Sequence, residues 1–138
     1  MVTNVGEHTL LHEWQHLLAR HAAVCGALEG ELQRLHDIGV NEFEALERLA
    51  TEDVGKCRAA EISDAVHLSQ SAVSRLVARL EREGLVERAM CEADRRGIFV
   101  ALTDEGRKRY LAARPTHRRV LAETLGDEDF CGCSATRS

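Results

Sequence analysis

A mostly helical fold with one small β-hairpin is the architecture this sequence predicts, built as a single domain of 138 residues. Three observations carry that expectation. An apolar heptad runs through the first forty residues, two capped amphipathic stretches follow, and the periodicity then changes to two strand-like runs between residues 85 and 103. One proline and 4% aromatic residues fit neither a Pro-rich linker nor a β-sandwich.

The first helix is expected over Thr9 to His36. Trp14, Leu18, His21, Cys25, Leu28, Leu32 and Leu35 alternate steps of four and three, an a/d seam that Leu10, Leu11 and Leu17 widen at one end. Such a seam is too long for a small monomer to cover, so a second copy of the chain is the expected partner, with purely intramolecular packing as the alternative. Gly39 reads as the stop. Asn41 reads as the next N-cap, with Glu44 three residues on, opening a helix through Phe43, Leu46, Leu49 and Ala50. After the break "TEDVGKC", a short helix in "RAAEISDAVHL" offers Ala60, Ile62, Ala65 and Val66 as apolar contacts. Ser69 caps the helix "SQSAVSRLVARLEREG", and Gly84 ends it. "LVERAMC" and "GIFVALT" are β-capable and joined by "EADRR" as a hairpin. Thr103 caps a last helix whose first turn holds Asp104 and Glu105, and Pro115 is expected to kink or break it. "GDEDFCGCSATRS" has little to pack and reads as a tail.

Net charge is −5, but it is unevenly spread. Residues 1–66 hold five Lys/Arg against twelve Asp/Glu, and residues 67–138 hold thirteen against eleven. A polyanion partner is therefore permitted at one end of the molecule. No apolar run is long enough to span a bilayer and no signal-like leader opens the sequence, so a cytoplasmic protein is expected. The five cysteines are then expected to be free thiols.

Helix, short helix, turn, helix, hairpin is the order of a winged helix-turn-helix. In the helix after Ser69, Val73, Leu76, Val77 and Leu80 form the stripe to be buried. The other side presents Ser71, Ser74, Arg75, Ala78 and Arg82, with Gln70 at the start and Arg79 on the flank. Hydroxyls, an amide and arginines in that order can enter a major groove. A solvated face would present similar residue types, so this helix alone leaves both readings open. The hairpin favours DNA: Asp94 precedes Arg95 and Arg96, and a narrow minor groove attracts inserted arginine.

"RAAEISDAVHLSQSAVSRLVARLEREGLVERAMCEADRRGIFVALTDEG" resembles the DNA-binding core of the MarR family of bacterial transcription regulators. The likeness rests on the apolar stripe, the "LEREGLVER" junction and "DRRGIFVALTDEG", which fits that family's wing signature. It extends over roughly residues 8 to 125. The resemblance implies N- and C-terminal dimerisation helices (residues 1–40, and 104–138 with a short tail) around a DNA-binding region at 41–103. It further implies a homodimer on pseudo-palindromic double-stranded DNA, usually a repressor released by a small molecule, oxidant or metal. By position, Ser69, Gln70, Ser71, Ser74, Arg75 and Arg79 match the recognition-helix contacts, Arg96 the wing arginine and Asp94 its orienting acid, with Arg95 beside them. Arg58 stands where many members have a Ser or Thr cap. Members usually finish with a further apolar helix where this sequence reads "DFCGCSATRS", so dimerisation is expected to rest on the first and last helices.

Trp14, His21, His36 and Phe43 are candidates for an effector crevice, with core filling as the plainer role. His8, His12 and His16 recur every four residues, so adjacent members could share a metal on one helix face, though a solvated face explains them more simply. Cys131 and Cys133 could bind a soft metal or pair with each other, or be incidental thiols. Cys25, on the seam, reads as a small core residue. No cofactor is implied. An enzyme is not expected, since the sequence has no Gly-rich phosphate loop, His-Glu-x-x-His or nucleophile elbow. The remaining alternatives are a winged-helix protein-interaction module and a thiol- or metal-responsive regulator.

Overall fold

The computed structural model describes residues 2–52, 56–91 and 94–129, with side chains at 6–52, 56–89 and 99–126. Five helices and three strands follow in order: α1 (Val2–His36), α2 (Val40–Ala50), β1 (Lys56–Arg58), α3 (Ala59–Val66), α4 (Gln70–Arg82), β2 (Val86–Cys91), β3 (Asp94–Leu102) and α5 (Asp104–Asp129). The strands form one antiparallel sheet in the order β1-β3-β2.

Helix α1 starts seven residues before the expected Thr9. Nothing in that segment forbids a helix, since a lone glycine costs only about 1 kcal/mol. The helix ends because Asp37 turns left-handed (φ 56), not at Gly39. Gly39 is instead the N-cap of α2 in an extended conformation. The expected Asn41/Glu44 cap is thereby corrected by two residues: Glu42 accepts the Gly39 N–H at 2.7 Å, and Ile38 is fully buried just before it.

Strand β1 was not legible, because three residues are too few to show a period. It pairs Lys56 with Ala101, Cys57 with Val100 and Arg58 with Phe99. In α3, Ile62 and Val66 are buried as expected, whereas Ala60 and Ala65 face solvent. Ser69 caps α4, accepting the Ala72 N–H at 3.2 Å, and Gly84 follows the helix with φ 78. Strand β3 already includes Asp94, Arg95 and Arg96, so these residues belong to the strand and not to the hairpin connection. Pro115 does not break α5. The carbonyl it leaves without a donor, at Leu111, lies on an exposed stretch where water can serve it.

The core joins Leu28 and Leu32 of α1, the apolar stripes of α2, α3 and α4, and Tyr110, Ala113 and Val120 of α5. Of the heptad seam, Leu28 and Leu32 are buried, Cys25 is half-buried, and Trp14, Leu18, His21 and Leu35 are exposed. Among the described residues no helix is long and apolar enough to cross a membrane.

Candidate functional site

The turn between α3 and α4 is locked by its own residues. His67 takes the left-handed conformation that closes α3, and its N–H and that of Leu68 both donate to the Ser63 carbonyl, at 2.9 and 3.3 Å. The Ser63 hydroxyl donates back to the Leu68 carbonyl at 2.5 Å. Helix α4 then packs Val73, Leu76, Val77 and Leu80 inward, all four buried. Gln70, Ser71, Ser74, Arg75 and Arg82 are exposed together on the other side. Ser69 joins them at the start, but its hydroxyl is committed to the cap and to Ser71 Oγ at 3.3 Å.

Arg79, on the flank of α4, is held: its Nη1 donates to Glu42 Oε2 at 3.1 Å. Arg88 of β2 pairs with Glu81 at 3.2 Å, fastening the wing's base to α4. Two further cations lie near the wing, Lys56 and the Arg58 that stands at a cap position. Lys56 Nζ and the Arg58 guanidinium both stack over the Phe99 ring, 5.5 and 5.3 Å from its centre, at the edge of the sheet. They are two of only five Lys/Arg in residues 1–66, and that concentration was the available signal.

The wing's base is a clamp. Thr103 Oγ1 donates to the Gly84 carbonyl at 2.7 Å and accepts the Gly106 N–H at 3.0 Å, while the Thr103 N–H donates to the Leu85 carbonyl at 3.1 Å. A Cβ at Gly106 would lie 2.1 Å from the Leu85 oxygen, so only glycine permits this approach. Further out, Met90 pairs with Ile98 and Cys91 with Asp94, which puts Arg95, Arg96 and Gly97 in a bulge of β3. The side chains of Asp94, Arg95 and Arg96 lie outside those described.

The four crevice candidates do not share one environment. Phe43 is fully buried, stacked on His117 at 4.5 Å and tilted against Tyr110 at 5.4 Å. His36 shares a 2.8 Å hydrogen bond with Thr116. His21 lies 3.5 Å from the Cys25 sulfur, and Trp14 is exposed on the outer half of α1. Around Phe43, Arg118 pairs with Glu47, Tyr110 donates to Glu47 at 3.4 Å, and Arg118 donates to His117 Nδ1 at 2.7 Å. That network fastens α5 to α2. Burial, then the nearby Glu44 carboxylate, raises the Cys25 thiol. Burial likewise pushes Cys57 up to about 11, so neither is an activated nucleophile. Among the described residues no group of three His, Cys, Asp or Glu side chains could hold a metal, His8, His12 and His16 included. Cys131 and Cys133 lie outside the described residues.

The MarR family model matches residues 36–97, from the end of α1 to the wing. AbsC, a MarR family transcriptional regulator from Streptomyces coelicolor, is 27% identical, with TM-score 0.79 over 93% of this chain and 88% of its own. A second regulator of that family from the same organism, solved in complex with DNA, is 27% identical, with TM-score 0.81 over 96% of this chain and 82% of its own. A third, from Silicibacter pomeroyi, is 28% identical, with TM-score 0.75 over 94% and 91%. No curated protein matches the sequence.

Proposed function

We propose that the chain is a winged-helix transcription regulator of the MarR family, whose model matches residues 36–97, and that it binds a pseudo-palindromic operator in double-stranded DNA as a homodimer, represses transcription from it in the cytoplasm, and is released by an effector. The observation that carries this reading is α4, whose apolar stripe is buried while Gln70, Ser71, Ser74 and Arg75 stand exposed on one side. These four read base edges in the major groove, Ser69 fixes the helix start, and Arg79 contacts a phosphate. Arg96, oriented by Asp94 and flanked by Arg95, enters the adjacent minor groove. Residues 41–103 do this work, and residues 1–40 and 104–138 supply the dimer.

Dimerisation is supported by the apolar residues one protomer leaves uncovered: Leu10, Leu11, Trp14, Leu17 and Leu18 are each at least 45% exposed on α1. A patch of this kind marks an interface. An effector reaching Trp14 or His21 would meet that interface, whereas one reaching His36 or Phe43 would disturb the packing of α5 on α2. The raised thiols weigh against peroxide sensing at Cys25 or Cys57.

The test is in vitro selection of duplexes on the wild-type protein, followed by Arg75→Ala on the selected duplex and its single-base variants. The variant is expected to lose roughly 1–3 kcal/mol and to discriminate less among the variants. An equal loss on every sequence would make Arg75 a phosphate contact. Failure of the wild type to enrich any duplex ends the proposal.

A further inference from the structure

Glu42 is a charged residue in the core, 4% exposed, and a buried carboxylate is costly unless its oxygens are satisfied. Both are. Oε1 accepts the Gly39 N–H at 2.7 Å, and Oε2 accepts from Arg79 Nη1 at 3.1 Å. Glu29 of α1 completes the junction, its Oε1 accepting the Val40 N–H at 3.0 Å. Both carboxylates pass close to Gly39: a Cβ there would lie 3.3 Å from Glu42 Oε1, a tight contact, and 3.4 Å from either Glu29 oxygen. The turn between α1 and α2 is thus gripped by carboxylates from both helices, and one of them reaches across to α4.

Only one edge of the Arg79 guanidinium is used in this way, since its side chain remains 54% exposed. A planar guanidinium fixed by one carboxylate presents its remaining N–H groups in a set direction, so less freedom is lost when a second acceptor arrives. We propose that Glu42 is the positioning residue for Arg79, aiming that arginine at the DNA backbone and tying its aim to the α1–α2 turn. The inference rests on the DNA-binding reading above. It adds a residue that never touches DNA, and a mechanical link from the dimer helix to the recognition helix.

The test is a double-mutant cycle in the full-length protein, using the duplex enriched by the wild type and titrated across salt concentrations. Glu42→Gln keeps the shape and an acceptor for the Gly39 N–H but removes the charge that holds Arg79. Arg79→Ala should lower the slope of log affinity against log salt by about one. Glu42→Gln should weaken binding three- to tenfold while leaving that slope near the wild-type value, because the cation is still present. In the Arg79→Ala background, Glu42→Gln should change affinity less than twofold. A loss of fold stability would appear in both backgrounds and cancel in the cycle. Equal losses in the two backgrounds, tighter binding by Glu42→Gln, or an unchanged slope in Arg79→Ala would each overturn the proposal. If the wild type enriches no duplex, the DNA-binding reading fails first and takes this inference with it.

Discussion

His117 is 6% exposed, stacked on Phe43, with Nδ1 accepting from Arg118 and Glu47 just beyond. Burial first, and the Arg118 cation second, lower its pKa from the ordinary 6.5, against a weaker pull from Glu47. The neutral ring is the one the fold accepts, so the unfolded chain binds the extra proton. Stability from this site is therefore complete above pH 6.5 and is lost as the pH falls through 6.5 toward the lowered folded value. Glu47, held down chiefly by its hydrogen bond from Arg118, loses its contribution only below its ordinary 4.5. The two windows are separable. Thermal midpoints measured from about pH 8 to about pH 5 should fall for the wild type below pH 6.5, and His117→Phe should flatten that fall. An unchanged slope in the variant would mean that His117 accommodates its proton in place. The Glu47–Arg118–His117 group was invisible in the sequence, because its members are up to 71 residues apart and only the packing of α5 on α2 brings them together. Ser69 and Thr103 were legible, because an N-cap acts within three residues of itself. Glu42 lay between these cases: its cap is local, and its hold on Arg79 is not.

Helix α1 is 35 residues long, about 50 Å, and its partner within the protomer covers only part of it. The antiparallel contacts with α5 run from His36–Thr116 through Glu31–Arg119, at 2.9 Å, to Arg20 donating to the Leu125 carbonyl at 3.5 Å. Residues 7–19 precede Arg20 on α1 and are exposed, Leu18 among them. The heptad pattern told where the apolar seam runs, but the length of its intramolecular cover depends on where α5 begins, and the hairpin sets that. The seam therefore divides into two parts with different mutant phenotypes. Leu18→Glu should leave each protomer folded and abolish the proposed dimer, so light scattering returns one 15.3 kDa chain with helical content retained. Leu28→Asp, in the part already buried, leaves an unpaired carboxylate in the core at a cost of at least about 3 kcal/mol and should unfold the protein. A Leu18→Glu protein that stays dimeric would move the interface off this half of α1. The wing was also only partly legible. Alternation located both strands, but the clamp of Thr103 on Gly84 and the closeness of Gly106 to Leu85 are what fix the hairpin to α4.

At the scale of the whole molecule, the proposed DNA partner requires an acidic protein to present its cations locally. The chain carries −5 overall, yet residues 67–138 hold thirteen of its eighteen Lys/Arg; Arg118 and Arg119 among them are paired to α2 and α1, while Lys56 and Arg58 lie at the sheet edge. Local charge steers the approach of DNA more than the total does, so affinity should depend steeply on salt despite the acidic balance. The wing tests how that dependence is divided. A bulge of three residues means that strand alternation does not decide which arginine points where, so Arg95 and Arg96 have to be separated by their effects. Arg96 is expected to read groove width, because both A·T orientations present only acceptors in the minor groove. Arg96→Ala should then cost most affinity on operators with A·T-rich flanks and lower the log–log salt slope by about one. Asp94→Asn should give a weaker form of the same defect with the slope retained, since the cation remains but is poorly oriented. Arg95→Ala should be milder and indifferent to the flanks. A salt titration of the three variants on two duplexes differing only in their flanks separates the outcomes. Should Arg95→Ala prove the flank-sensitive change, the groove-reading arginine is one residue earlier in the bulge. If neither arginine alters the slope, the hairpin does not enter a groove, and α4 alone must provide recognition.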